Sequence, residues 1–239
     1  MTKLIILGMD GLEYDLVTKF GYKNLMQDHF GKTDISEFEL PRSVILWSSF
    51  IAGKSKEKEL TALTNFWHAK MPIAQTFFAN AKNPLALDVP GFTYINEQHD
   101  RERQNMKDFL EGKNITIEEY DKHVFAHHQK IKEQFFKALE TGEHDVIMAY
   151  FSVSDVIGHL SFGITPKMRM IYQDLDEIAA KVKAKFRGKL LIISDHGMFA
   201  RGRFGDHTTY GFWSTNFDVQ FKNPKLTDFF KTLIDAQLE

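Results

Sequence analysis

The sequence predicts an α/β fold in which a mostly parallel central sheet carries helices on both faces. Three observations support this. Apolar runs of strand length alternate with amphipathic stretches of helical period along the chain. The runs before Asp10, before Asp155 and before Asp195 are continuous rather than alternating, the pattern of strands buried on both faces. Each of these runs also delivers an aspartate just past its end, where open α/β sheets bind ligands.

The elements follow in order. Residues 3–8 read as a buried strand, and Gly11 turns the chain into a short amphipathic helix. Residues 33–39 alternate as Asp34, Ile35, Ser36, Glu37 and Phe38, which predicts a strand closed by Pro41. Residues 44–51 predict a helix ended by Gly53. The segment 54–115 holds a charged run at 54–59, aromatic clusters and a strand candidate at 84–89 stopped by Pro90-Gly91. It is expected to add one further βα unit and a substrate lid or insertion within a single domain of residues 1–239. Thr116-Ile117-Glu118-Glu119 is a capping-box pattern, and Tyr120, Val124, Ile131, Phe135 and Leu139 keep helical spacing up to Gly142. A strand follows at 146–151. Thr165-Pro166 reads as N-cap and first residue of a helix whose apolar face is Ile171, Leu175, Ile178 and Val182. Beyond Gly188 come a strand at 190–193, a strand candidate at 212–221 and a terminal helix at 227–237.

Composition narrows the function. The 239 residues are 43% hydrophobic and 26% charged, ordinary for a globular protein. A formal net charge of −2 gives no bias toward polyanions, so nucleic acid is not expected as a main partner. The absence of cysteine excludes disulfides, thiolate–metal sites and a cysteine nucleophile, leaving His and carboxylates to hold any metal. No apolar run is long enough to span a bilayer, and the N-terminus lacks a basic stretch and cleavage site. A cytoplasmic protein without membrane contact is expected; its oligomeric state is left open.

Imidazoles accompany the aspartates. His159 follows Asp155 by four residues, His196 follows Asp195 at once, and His207 lies downstream. Carboxylates and imidazoles gathered at one end of a sheet describe a metal site better than a core. Each residue also has a plainer reading. Asp10 caps a turn, Asp195-His196 is a satisfied loop pair, Asp206 beside His207 is a surface residue, and Ser43 is an N-cap. Ser48 and Ser49 lie deeper in the same helix and are fallback hydroxyls. His123 and His127 are four apart on a predicted helix but lack an HExxH pattern, so a solvated face is expected. Phe66, Trp67, Phe77, Phe92 and Tyr94 are candidates to line a pocket or lid.

Taken in order, five pieces resemble the alkaline phosphatase superfamily, within it the type I phosphodiesterase/nucleotide pyrophosphatase-like branch. They are Met9-Asp10-Gly11, Ser43 with Trp47 and Gly53 behind it, Asp155-Val156-Ile157-Gly158-His159, Ser194-Asp195-His196-Gly197-Met198, and His207. The resemblance implies two divalent metal ions, zinc or manganese. One would be held by Asp155, His159 and His207. The other would be held by Asp10, Asp195 and His196 with the oxygen of Ser43, the residue at the nucleophile's position. The implied activity is a metal-dependent phosphodiesterase, nucleotide pyrophosphatase or phosphomonoesterase acting on a small phosphorylated substrate through a phosphoseryl intermediate. The alternatives are a phosphotransferase or mutase, and a non-catalytic protein that binds metal and phosphate ligands. Ser43 departs from the pattern in being followed by Val44-Ile45-Leu46 rather than a Pro-rich turn. No Asn stands near it to hold phosphate, and it lacks the x-Pro-x-Arg context of sulfatases.

Overall fold

The computed structural model describes residues 2–238. Its central sheet is built outward from β1 (Leu4–Met9), which pairs in parallel with β4 (Val146–Phe151) on one side and β5 (Lys189–Ile193) on the other. Beyond β4 lies the parallel edge strand β3 (Pro84–Leu87). Beyond β5 come two antiparallel partners, β8 (Tyr210–Thr215) and then β2 (His29–Asp34). Leu4 stands opposite both Val146 and Lys189, so the three central strands end together and Asp10 and Ser194 leave the sheet side by side. The mostly parallel architecture expected from the continuous apolar runs is the one observed.

Period-two alternation divides β1 between two cores. Ile5, Leu7 and Met9 face α5 (Ile117–Thr141), α6 (Val153–Ser161) and α7 (Thr165–Lys185), packing with Phe135, Ile157 and Leu175. Leu4 and Ile6 face α2 (Ser43–Ala52) and α8 (Phe229–Leu238), packing with Trp47, Phe50 and Leu233. α2 is apolar all round because every residue from Val44 to Ala52 is buried. Each large side chain buried in this way stabilises the fold by about 1.5–3 kcal/mol. Gly8 makes room for this layer, since a Cβ there would come 2.9 Å from the Trp47 ring.

The local signals in the sequence act as expected. Thr116 and Glu119 close a reciprocal capping box on α5, and Gly142 ends that helix in the left-handed conformation. Gly53 ends α2 in the same way. A short α1 (Tyr14–Phe20) follows the turn after β1. The segment 54–115 contributes α3 (Glu57–Thr61), β3 and α4 (Asn96–Leu110).

Four boundaries differ. The strand expected at 33–39 is β2 at His29–Asp34, because the Asp34 side chain accepts from Ser36 N and turns the chain. The alternation of Ile35 and Phe38 belongs to that turn, closed by Phe38 N donating to Ile35 O. The strand expected at 84–89 stops at Leu87, where Asp88 takes φ 58°. The candidate at 212–221 starts earlier, at Tyr210, and ends at Thr215. Ile164 rather than Thr165 occupies the N-cap of α7. A hairpin that the sequence reading did not anticipate, β6 (Met198–Arg201) and β7 (Phe204–His207), stands between β5 and β8. It docks on the end of α6, where Gly163 N donates to Arg203 O at 3.0 Å.

Candidate metal centre

The three aspartates that follow the apolar runs meet beyond the ends of β1, β4 and β5. Asp10 is the first residue after β1, and its N–H donates to Phe151 O at the end of β4. Gly11 then takes φ 68° and passes so close to α6 that a Cβ would lie 2.9 Å from Asp155 Cα. Only glycine meets both demands without strain. Asp155 sits in the first turn of α6, where the helix dipole favours a carboxylate, and His159 is one turn on along the same face. Asp195 and His196 form the loop after β5, which Gly197 fastens to the far side of the hairpin through Thr208 Oγ1 at 3.0 Å and Tyr210 O at 2.7 Å. β7 delivers His207. All six residues singled out from the sequence for their carboxylate or imidazole are therefore brought together.

Their spacing is informative. Asp155 Oδ1 lies 3.3 Å from the Nε2 atoms of both His159 and His207. Those two nitrogens are 3.2 Å apart, and the His207 ring stacks on His196 with centroids 3.6 Å apart. His196 Nε2 lies 3.2 Å from Asp10 Oδ1, 3.6 Å from Asp195 Oδ2 and 3.8 Å from Asp155 Oδ1. Asp10, Asp195 and His196 are fully buried. Yet Asp10 Oδ1, Asp155 Oδ1, both carboxylate oxygens of Asp195 and His196 Nε2 have no hydrogen-bond partner among the described residues. Leaving one such buried group unpaired costs about 1–3 kcal/mol, more when charged. Two overlapping ligand sets form here, Asp10 with Asp195 and His196, and Asp155 with His196 and His207. Hard carboxylate oxygens, imidazole nitrogens and orphaned buried donors and acceptors fit divalent cations.

Protonation equilibria carry the same strain. Burial and the neighbouring Asp10 push the Asp195 carboxyl well above the usual carboxylate range. Burial lowers His196, but the charges of Asp195, Asp10 and Asp155 outweigh it and lift the imidazole to about 10. Burial opposes ionisation of Asp155 as well, but His159 and His207 beside it hold its carboxyl well below the usual range.

A further layer of contacts orients these groups. Tyr150 at the end of β4 donates to Asp10 Oδ2, leaving Oδ1 turned toward His196. Ser154 donates to Asp10 O at 2.5 Å. Glu13, only 4% exposed, accepts from Tyr210 Oη at 2.8 Å and Asp15 N at 3.0 Å on one oxygen and from Met198 N at 2.9 Å on the other. It thus ties the Asp10 turn to the His196 loop and to the strand after His207. The sequence reading missed both residues. Tyr150 was hidden inside an apolar run, while Glu13, three residues after Asp10, sat in what reads as an ordinary helix start.

Ser43 is the first residue of α2, with Arg42 at the N-cap; Ser43 is not itself the cap. It is half-buried and lines one cavity of about 150 Å³ together with Asp155, His159 and His207. Ser48 and Ser49 are fully buried in the core; Ser49 donates to Ile45 O, while Ser48 Oγ has no hydrogen-bond partner among the described residues. Of the aromatic residues expected at a pocket, Trp67 and Tyr94 line the cavity, Phe77 is core, and Phe66 and Phe92 pack against that core.

One expectation fails outright. His127 is not on a solvated face: it is buried, and its Nε2 lies 2.7 Å from Asp88 Oδ2. His99 Nε2 meets the same oxygen at 2.8 Å, and His99 Nδ1 lies 2.8 Å from Glu102 Oε2. His123 instead bonds Arg101 and Asn105. The signal was available, since Asp88 follows an apolar run as Asp10 does, but the strand candidate at 84–89 absorbed it.

No protein-family profile matches the chain, and a search of curated proteins finds no match. Among solved structures it is similar to alkaline phosphatase from the Antarctic bacterium TAB5, with a TM-score of 0.56 and 10% identity over 99% of this chain and 97% of that one. Human ectonucleotide pyrophosphatase/phosphodiesterase 5 gives a TM-score of 0.48 and 16% identity over 82% of this chain and 57% of that one. Phosphonoacetate hydrolase from Sinorhizobium meliloti 1021 gives 0.45 and 14% over 82% of this chain and 56% of that one. The chain therefore spans little more than half the length of the last two proteins. No helix among the described residues is long and apolar enough to cross a membrane. Sheet order, helical layers and the near-complete overlap with the first of these structures converge on one statement: the chain has the alkaline phosphatase fold.

Proposed function

We propose that this chain is a metal-dependent phosphoesterase in which Asp10, Asp155, His159, Asp195, His196 and His207 hold two divalent ions and Ser43 is the nucleophile. The observation that carries the reading is the set of five buried, unpaired donor and acceptor atoms behind the cavity that Ser43 lines. The shared fold supports it, and a variant of the TAB5 alkaline phosphatase is described with Mg bound. Asp155, His159 and His207 would hold one ion and Asp10, Asp195 and His196 the other; His196 lies within reach of both sets, and His159 stands 3.3 Å from Asp155. Once bound, the ions supply Lewis-acid charge that activates a hydroxyl and offsets charge on the apical oxygens of an in-line displacement.

The rest falls to the chain itself. Ser43, at the N-terminus of α2, presents its hydroxyl where free backbone N–H groups favour a phosphate. Its Oγ bonds to phosphorus as the bond to the leaving oxygen breaks, and the proton lost by serine is matched by the one the leaving alkoxide gains. Water then cleaves the phosphoseryl ester, returning the serine and releasing phosphate. Tyr150 and Ser154 keep Asp10 in place throughout.

Zinc- or manganese-reconstituted protein is expected to hydrolyse p-nitrophenyl phosphate or its bis ester. Ser43→Ala is expected to keep wild-type metal content by elemental analysis while losing turnover by about 10³-fold or more. Wild-type rates in that variant would remove Ser43 from the role.

A further inference from the structure

Three tyrosines line the cavity in front of the candidate metal centre, and two of them have spent their hydroxyls. Tyr120 Oη donates to Val156 O at 2.7 Å, and Tyr150 donates to Asp10. Tyr94 Oη makes no hydrogen bond among the described residues. Trp47 Nε1 and Ser48 Oγ are also unpaired, but they are shut inside the core. Tyr94 Oη is not shut in: it keeps accessible surface in a residue that is 5% exposed and lines the cavity.

The fold fixes this side chain through its ring and its backbone. Tyr94 lies in the loop after β3, the edge strand parallel to β4, and so at the sheet end where Asp10, Asp155 and Asp195 emerge. Asp88 ties that loop back, with Ile95 N donating to Asp88 Oδ1 at 2.8 Å and Thr93 N to Val89 O at 2.9 Å. The Tyr94 ring lies flat on His99, centroids 3.9 Å apart and planes 10° apart, and meets Tyr150 edge-on at 6.2 Å. His99 is itself held from both sides, by Asp88 at 2.8 Å from Nε2 and Glu102 at 2.8 Å from Nδ1. Burial lowers the His99 imidazole, but Asp88 and Glu102 outweigh it and lift it to about 9, so the platform under Tyr94 is an ion pair near neutrality. The Tyr94 hydroxyl takes no part in any of these contacts. Burial pushes the phenol well above its usual range, against a smaller pull from Arg103, so Oη keeps its proton and remains a donor.

We propose that Tyr94 Oη donates to a non-bridging oxygen of the substrate's phosphoryl group, in place of the Asn that is missing beside Ser43. The inference rests on the phosphoesterase reading and adds a binding residue to it. Non-bridging phosphate oxygens only accept, so a hydroxyl that keeps its proton matches them. The cavity holds about 150 Å³, a space in which a phosphoryl group on Ser43 comes close to every group in the wall. Arg42, also in that wall, is exposed, whereas Tyr94 offers its donor from the buried side, where a hydrogen bond to a charged oxygen is strongest.

Tyr94→Phe removes the hydroxyl and keeps the ring. Because Oη holds nothing in the fold, the melting midpoint is expected to stay within about 2 °C and the metal content to be unchanged. Calorimetric affinity of the zinc-loaded protein for inorganic phosphate is expected to fall about 10-fold or more, as loss of a hydrogen bond to a charged group allows. kcat/KM for p-nitrophenyl phosphate is expected to fall by about 10- to 100-fold. A midpoint lowered by more than about 5 °C, or a parallel loss of metal, would make the hydroxyl a structural group and overturn the proposal. So would a lowered kcat/KM with unchanged phosphate affinity, which would move the contact to the organic group, or a wild type that binds no phosphate. Tyr94-dependent phosphate binding with no hydrolysis of any ester would sink the phosphoesterase reading and leave the phosphate contact standing. Hydrolysis at equal rates and equal phosphate affinity in both proteins would do the reverse.

Discussion

Two acid–histidine clusters lie behind the ends of neighbouring parallel strands, one after β1, β4 and β5 and the other after β3. They contain the same residue types but are spaced differently. Around Asp155 and His196 the facing nitrogens and oxygens stand 3.2–3.8 Å apart, and five buried atoms have no hydrogen bond. Around Asp88 the imidazoles sit 2.7 and 2.8 Å from one carboxylate oxygen, at the length of charge-assisted hydrogen bonds. The Asp88 cluster is largely its own counterion; the other leaves the bonding capacity that the proposed cations would meet. Both clusters group buried Asp and His closely enough to hold a metal ion, so it is separation and unmet bonding capacity that set them apart.

The sharpest way to break the contrast is Asp155→Asn. It removes charge from a carboxylate oxygen that lies 3.3, 3.3 and 3.8 Å from three imidazoles. Bound metal is expected to fall, and kcat/KM on p-nitrophenyl phosphate to drop by about 10³-fold or more. If Asp155→Asn kept full metal content, the wide spacing would not mark ligands. Asp88→Ala should act in the opposite sense. It strands a buried imidazole pair, so a loss of about 3–5 kcal/mol is expected, lowering the melting midpoint by about 10 °C with metal stoichiometry intact. Loss of one metal equivalent there, measured by elemental analysis, would turn the Asp88 cluster into a cation site.

A smaller effect is expected at Glu13, which touches no ligand side chain but joins the Asp10 turn to the loop after His196. Glu13→Gln keeps the shape and weakens two of its accepted bonds. Metal affinity, read by chelator competition, is expected to fall by about 10-fold, as for other residues that orient ligands from behind. Unchanged affinity would reduce Glu13 to a helix cap.

The smallest effect is one of pH. His99 titrates at about 9 in the folded chain, above its unfolded value of about 6.5. Its proton therefore contributes full stability below about 6.5 and loses it as pH rises through 9. In chelator-treated protein, the midpoint difference between wild type and Asp88→Asn is expected to be largest near pH 6 and to shrink by a few degrees above pH 9. Metal affinity at the other cluster runs the opposite way, rising with pH as imidazoles give up protons. A difference that grew with pH would mean that His99 folds neutral.

Much of the candidate metal centre was legible because continuous apolar runs fix strand ends and strand ends place the carboxylates that follow them. Asp10, Asp155 and Asp195 needed nothing more than that. His159 follows from helical spacing, but the place of His207 in a ligand set came from resemblance, since the short hairpin that delivers it has no periodicity to read. Asp88 was missed because the strand candidate at 84–89 included it, whereas the strand ends at Leu87. His127 was misread because the absence of an HExxH pattern argued for a solvated face, although α5 turns it inward. Partners distant in sequence such as Tyr150 and Asp10, 140 positions apart, leave no local trace.

The hairpin that brings His207 is seated by what its seam lacks. At Gly158, Gly163 and Gly205 an added Cβ would run into Met198, the backbone of Gly202 and the Gly158 carbonyl respectively. Main chain rests on main chain there, while Phe199 and Phe204 point outward to solvent. The outer surface of the strap is thus free to be recoloured, charged or carved for some new neighbour without disturbing the imidazole beneath it, whereas one methyl on the inner seam would pry that imidazole loose.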